Sequence, residues 1–318
     1  MADAIANENA VAAENTYDLL VIGAGPAGLT AGLYGARAGL SVAVFERISP
    51  GGQLAQTSKV ENYPGFPTGA EGWQLAFDMQ QQALNFGVKI IPAEVTGVDF
   101  SGSVKKVITA QGDFAAKAVI VASGAHPRPL GVEGERELTG KGISYCATCD
   151  GNFFRGKDAI VVGGGNTAVG DAMYLSRICN KVYLVHRRDK LRATQVYHDA
   201  IAALENVEFV WNSVPAEILS EDGAVSGLRV KSTLDDALRD ISSSAVFVAV
   251  GTVPNTDFLN GALELNDAGY IVAGEDGKTS VEGVFAAGDV RTKALRQVVT
   301  AVADGAQAAE NAAEFIAI

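Results

Sequence analysis

Cys146 and Cys149 are two of only three cysteines in 318 residues, and they stand at positions i and i+3. On a helical turn that spacing brings two Cα atoms within roughly 5 to 6 Å, a separation that suits a disulfide. A close pair in so cysteine-poor a chain points to thiol exchange or a metal rather than a structural staple, and it suits a reducing, cytoplasmic compartment. A zinc site would need two more ligands from Cys179, His126, His186 and His198, none of which repeats the paired spacing. The redox reading, with no metal, is therefore preferred. Asp150 adjoins the pair, where a carboxyl can move a proton to or from a departing thiolate; its plain alternative is an exposed carboxylate at a helix start. Cys179 ends an apolar helical stretch and reads as a small buried hydrophobe.

Two glycine-rich turns supply the second kind of chemistry. Gly23-Ala24-Gly25-Pro26-Ala27-Gly28 follows the apolar run Leu19 to Gly23 and precedes an alanine-rich stretch, the strand-turn-helix context in which a GxGxxG pattern can cradle a pyrophosphate at a helix N-terminus. Glu46, 23 residues beyond Gly23 at the end of the next apolar run, is placed to accept the hydroxyls of an adenosine ribose. The second turn, Gly163-Gly164-Gly165-Asn166-Thr167-Ala168, follows Ala159 to Gly163 in the same way. Counting the same 23 residues arrives at His186, followed by Arg187 and Arg188, with Arg192 one turn later. Loss of the acid and gain of guanidinium groups suits a ribose 2′-phosphate, so this turn should prefer NADPH to NADH; a solvated basic run is the bland alternative.

The elements that must position these residues follow the same grammar twice. Leu19 to Gly23 and Val42 to Phe45 flank one helix; Ala159 to Gly163 and Val182 to Val185 flank another, Asn166 to Leu175. Val104 to Ala110 and Ala118 to Ala122 suit a strand meander beside the first unit, and Ala245 to Gly251 and Val284 to Ala287 read as late buried strands. A closing helix from about Leu295 to Ile318 places Leu295, Val298, Val299 and Val302 at helical spacing. The fold class is α/β, two Rossmann-like dinucleotide-binding domains with the second inserted into the first. Gly and Pro punctuation sets the boundaries at 17–124 with 252–318 for one domain and 125–251 for the other. Residues 1–16 carry no Lys or Arg and no continuous apolar core, so they read as a mobile tail rather than a leader peptide. A hydrophobic share of 48% makes two cores affordable, no run is long enough to span a bilayer, and a net charge of -12 disfavours nucleic acid and acidic membranes as partners.

From about Tyr17 to the C-terminus the chain resembles bacterial-type thioredoxin reductases of the pyridine nucleotide-disulfide oxidoreductase family. CATCDG at Cys146 to Gly151, GGGNTA at Gly163 to Ala168, HRRDKLRA at His186 to Ala193, GGQL at Gly51 to Leu54, ENYPGF at Glu61 to Phe66 and FAAGDV at Phe285 to Val290 carry the likeness, with Arg296-Gln297 after them. The resemblance implies that the first unit and the late strands hold FAD non-covalently, and the inserted unit holds NADPH and the redox disulfide. Gly23, Gly25, Pro26, Ala27, Gly28, Glu46 and Arg47 would serve the adenosine diphosphate half of FAD. Gly52, Gln53, Leu54, Asn62 and Gly124 would line its site, while Gly288, Asp289, Arg296 and Gln297 would contact the ribityl chain and isoalloxazine. Gly163, Gly165, Asn166, Thr167 and Ala168 would bind NADPH with His186, Arg187, Arg188 and Arg192.

The resemblance further implies that Cys149 is the flavin-proximal cysteine, Cys146 the one that attacks thioredoxin, and Asp150 the acid, in a homodimer. Gly170 and Asp171 depart from the family, which usually has two glutamates there, and Ser123 replaces a threonine. Nicotinamide and disulfide on one inserted domain must both reach one flavin, so that domain should rotate between half-reactions. A reductase for another dithiol protein, or a nucleotide-binding redox sensor, are the alternatives.

Overall fold

The computed structural model describes residues 11, 13–57 and 59–317. They divide into two compact units, one within Met1–His126 and Val253–Ile318 and the other Pro127–Thr252. Most of the tail expected at 1–16 lies outside the described residues. Ala13–Asn15 form a single 3-10 turn, and Thr16 already opens the first strand by pairing with Ala115.

The first unit is built on a seven-stranded sheet. Its parallel part sets Thr16–Ile22 between Val42–Glu46 and Gly112–Val121, with Lys89–Pro92 outside Val42–Glu46. Gly112–Val121 is longer than its apolar end suggests, because it has two jobs. Its first half pairs antiparallel with Lys105–Thr109, and its last residues pair parallel with Val284–Ala286. Both faces of this sheet are covered, which is why its strands read as continuous apolar runs. Leu19, Val21, Val44 and Ile120 pack on one side; Leu20, Ile22, Phe45 and Val121 pack on the other.

The closing helix, Val298–Ala317, packs against Pro26–Arg37 through alanine and glycine, not through the valines that the spacing singles out. Leu295 lies before the helix and is exposed, as is Val299; Ala301, Ala308, Ala309 and Ala312 are buried instead. The reason is closeness: a Cβ on Gly305 would stand 2.2 Å from the Ala27 carbonyl oxygen, so only small side chains fit between the two helices.

The second unit holds a five-stranded, all-parallel sheet in the order Ile143–Ser144, Ala245–Val248, Ala159–Val162, Val182–Val185, Val207–Val210. Asn166–Ser176 covers one face. The other face is covered by an antiparallel sheet of Ser213–Glu221, Ala224–Ser232 and Leu238–Ser242, which contributes Ile218, Leu228, Val230 and Ile241. Two helix-flanked sheets of this kind make the α/β, Rossmann-like class.

Candidate active site

In the second unit the redox pair and the nucleotide turn share the carboxyl end of one sheet, the end at which open parallel sheets bind ligands. Ile143–Ser144 leads directly to Cys146, and Ala159–Val162 leads directly to Gly163. Cys146 and Cys149 form a disulfide with a Cα–Cα distance of 5.3 Å, Cys146 standing just before the four-residue helix Ala147–Asp150. That helix is anchored by the glycine after it: a Cβ on Gly151 would meet Leu175 and Tyr174 at 2.9 Å, so the redox turn lies tight against Asn166–Ser176. Asp150 is half-buried, and burial pushes its carboxyl above the usual range against a lowering bond from Ser144. The Ser144 hydroxyl lies 2.6 Å from Asp150 Oδ2 and accepts the Cys146 N–H at 3.0 Å. Cys179 is buried and free.

Gly163 must be glycine, because its φ is +153° and a Cβ would stand 2.4 Å from the Ala249 carbonyl oxygen. Among the described residues, none lies within 4 Å of where a Cβ on Gly165 would stand, so that backbone is open to close approach at the start of Asn166–Ser176. Asn166 holds the far side of the turn by accepting the Thr194 N–H, and Gly164 accepts the N–H groups of Arg192 and Ala193. Thr167 is exposed on the first helical turn, and Ala168 is buried against Gly163.

The basic cluster separates into two parts. His186 is buried, its ring occupying the space a Gly164 Cβ would need, and its Nε2 has no hydrogen-bond partner among the described residues. Burial, together with Arg192, Arg187 and Arg188, holds its pKa below the ordinary histidine value. Arg187, Arg188 and Arg192 are exposed and form no ion pair among the described residues. Three exposed guanidinium groups in this cluster have the chemistry to receive an anion.

The first unit presents the companion turn. Gly23 has φ +104°, and a Cβ there would stand 2.4 Å from the Ala122 carbonyl oxygen; a Cβ on Gly28 would collide with the Gly23 carbonyl. Pro26 takes the first helical position and Ala27 packs beneath Gly288, while Gly25 stays open on its outer side. Glu46 accepts the N–H groups of Ala24 and Ile48 with its two oxygens, so the carboxylate also fastens the turn it follows. Arg47 pairs at the surface with Glu94. Gly51 bonds back to the Ala24 carbonyl and brings Gly52 beside Gly25, with Leu54 buried. Gln53 donates to the Ala125 carbonyl, next to Gly124 at φ +70°. Asn62 donates to Gln297 at 2.8 Å, joining segments 235 residues apart. Arg296 lies over the Tyr270 ring and donates to the Asp289 carbonyl. Ser123 exchanges hydrogen bonds with Asn255, so the hydroxyl that replaces a threonine is put to use.

Asp289 tests whether a ligand belongs here. Its Oδ1 is buried without a hydrogen-bond partner among the described residues, and burial pushes its pKa up against the pull of Lys293 and Arg296. A buried carboxyl oxygen left unpaired is costly unless a hydroxyl-bearing ligand completes it. Beneath it lies a group that spacing alone did not flag. Asp304 accepts from the Gly288 N–H, from Arg291 through two nitrogens and from Lys293, all deeply buried. The available signal was a lone acid on the alanine face of the closing helix.

A disulfide and one dinucleotide turn on a shared sheet end, with a second dinucleotide turn in a separate unit, define a nucleotide-dependent disulfide oxidoreductase. The family model described as pyridine nucleotide-disulphide oxidoreductase matches residues 17–305. A thioredoxin reductase of Peptoclostridium acidaminophilum is 45% identical over 309 residues, covering 95% of this chain and 98% of that relative. The crystal structure of the Streptococcus pyogenes thioredoxin reductase superposes with a TM-score of 0.88 at 43% identity, over 95% of this chain and 99% of that one. That of Giardia duodenalis gives 0.89 at 38% identity, over 96% and 100%. The chain belongs to the pyridine nucleotide-disulphide oxidoreductase family, among its thioredoxin reductases.

Proposed function

We propose that the protein reduces thioredoxin with electrons drawn from NADPH through FAD. The observation that carries this reading is the Cys146–Cys149 disulfide on the same sheet end as a glycine turn backed by three exposed arginines that form no ion pair among the described residues. FAD, when bound, supplies the two-electron relay between nicotinamide and disulfide. Gly25 and the start of Pro26–Arg37 would receive its pyrophosphate, Glu46 its ribose hydroxyls, and Asp289 with Gln53, Asn62, Arg296 and Gln297 its remaining polar groups. Gly165, Asn166 and Thr167 would hold the NADPH pyrophosphate, and Arg187, Arg188 and Arg192 the 2′-phosphate.

Once the pair is reduced, Cys146 attacks the thioredoxin disulfide: one S–S bond breaks, a mixed disulfide forms, and a thioredoxin thiolate leaves. Cys149 then attacks Cys146, which restores the disulfide and releases reduced thioredoxin. Asp150 supplies the proton that neutralises a departing thiolate and is reprotonated from solvent. The unit carrying disulfide and nicotinamide must offer each in turn to one flavin, so it rotates between half-reactions. Trp73, Phe77 and Leu84 form an exposed apolar stripe on the helix Gly72–Asn85, which supports a homodimer through that face. Among the described residues no helix is long and apolar enough to cross a membrane, and a cytoplasmic site of action fits the reduced partner.

The test is steady NADPH oxidation with thioredoxin and a terminal disulfide reporter, run beside other dithiol proteins. Turnover with thioredoxin supports the reading; turnover with another partner alone, or none at all, overturns it.

A further inference from the structure

Ser144 touches the redox turn at three points. Its Oγ lies 2.6 Å from Asp150 Oδ2, 3.0 Å from the Cys146 nitrogen, which donates to it, and 3.3 Å from the Cys146 carbonyl oxygen. The residue is buried at 5% exposure and is held by the sheet, its strand pairing it with Phe247. A hydroxyl has one proton and two lone pairs. When Asp150 is ionised, the Ser144 proton points at Oδ2. When Asp150 is protonated, the same short contact survives with the donor reversed, and the freed Ser144 proton turns to the Cys146 carbonyl. All three contacts are used together only in that second state.

We propose that Ser144 is the positioning residue of the redox turn, holding Asp150 beside Cys146 in both of its charge states by reversing one hydrogen bond. The proposal rests on the reading of Asp150 as the proton donor. An acid that must give up and regain a proton in every cycle would otherwise swing away once charged, since a buried carboxylate with no donor seeks solvent. With Ser144 the carboxyl stays in place: Asp150 passes its proton to the thiolate, the Ser144 proton rotates from the Cys146 carbonyl to Oδ2, and no proton is lost from Ser144.

The surroundings leave this contact as the main polar influence on Asp150. The helix Asn166–Ser176, packed against the turn, carries Asp171 and Tyr174; Arg155, beyond the turn, is bonded to Asn152; Tyr145 is bonded to Glu135. None of these contributes to the raised Asp150 pKa, whose causes are burial upward and Ser144 downward.

The experiment titrates the Asp150 carboxyl in the oxidised holoenzyme by difference infrared spectroscopy, in the parent and in Ser144→Ala, with Asp150→Asn identifying the band. The bond lost is stronger to the carboxylate than to the neutral carboxyl, so its removal should move the titration upward by about one pH unit. Thioredoxin turnover should fall about tenfold, with its high-pH limb displaced by the same amount, while NADPH-to-flavin reduction is unchanged. An Asp150 titration that stays put in Ser144→Ala overturns the proposal whatever happens to turnover. If instead Asp150→Asn turns over thioredoxin at the parental rate, the assignment of the acid fails, and the infrared titration still decides whether Ser144 governs the carboxyl.

Discussion

Replacing Asp304 with Ala should destabilise the first unit more than any surface change, and the magnitude follows from what the carboxylate holds. The Arg291, Lys293 and Asp304 side chains are 2%, 5% and 7% exposed, so Lys293 would be left buried without its acid and Arg291 with only the exposed Glu275. The Gly288 N–H would lose its acceptor as well. Removing one partner from a buried pair costs about 3 to 5 kcal/mol, and the orphaned N–H adds roughly 1 kcal/mol. For a unit of this size that is a fall in Tm of roughly 10 °C. Asp304→Asn, which can still accept from Gly288, should lose less. The loss should extend to FAD retention, because the Gly288 turn sets the Asp289 carboxyl in place. Burial alone would raise the Asp304 pKa, but the bonds from Arg291 and Lys293 hold it below the ordinary carboxylate value. Its contribution is therefore present above that value and lost as pH falls through the lowered one, so Asp304→Asn should flatten the acid limb of stability. Urea unfolding of parent and variants, with flavin absorbance after gel filtration, makes the measurement. A change below about 1 kcal/mol for Asp304→Ala would refute the reasoning, since surface ion pairs reach that value.

The doubly substituted Arg187→Ala, Arg188→Ala enzyme should lose about 2 kcal/mol, or roughly thirtyfold, in kcat/KM for NADPH at two solvent-exposed contacts, mainly in KM, with NADH little changed; equal losses for both nucleotides would assign the arginines another role. Gly170 sits inside the helix Asn166–Ser176 with nothing within 4 Å of its Cβ position among the described residues, so Gly170→Ala should stabilise by about 1 kcal/mol, read by thermal unfolding. Burial pushes Asp171 up to about 7. A raised carboxyl favours folding below its unfolded pKa and loses that contribution as pH rises through the folded value, so Asp171→Asn should match the parent near pH 4 and exceed it by roughly 4 kcal/mol at pH 8; a difference constant with pH would contradict this.

Local pattern carried most of the fold and failed where contacts are remote. Val182–Val185 was readable to the residue because a buried parallel strand is apolar throughout. Gly112–Val121 was cut short because its first residues, pairing with a hairpin, mix Gly, Asp and Ala. The three strands between Ser213 and Ser242 were missed, since alternation is broken there by Pro215, Gly227 and long charged side chains. On the closing helix, hydrophobicity pointed to valine although closeness of backbones demanded alanine, a constraint set by Ala27 some 278 residues earlier. The site shows the same division. Glycines and cysteines announce themselves by spacing; Ser144, Asp304 and Lys293 act through contacts that spacing does not encode.

The two nucleotide turns show how one side chain governs another at that distance. In the first, the middle residue is Ala24, whose N–H is taken by Glu46, and its own methyl is accommodated. In the second, the residue in the same place is Gly164, and the residue 22 positions later is His186, whose ring stands 2.3 Å from where a methyl would be. The ring thus requires the middle one of the three consecutive glycines. Against Gly164 and edge-on to Trp211, the imidazole has its pKa lowered by burial and by the arginines around it. On the proposed reading, the exposed Arg187, Arg188 and Arg192 would attract an incoming phosphate, whereas a carboxylate in place of the ring, as at Glu46, would repel one. On that reading, choice of nucleotide in this second turn would be tied to the glycine as well as to the arginines.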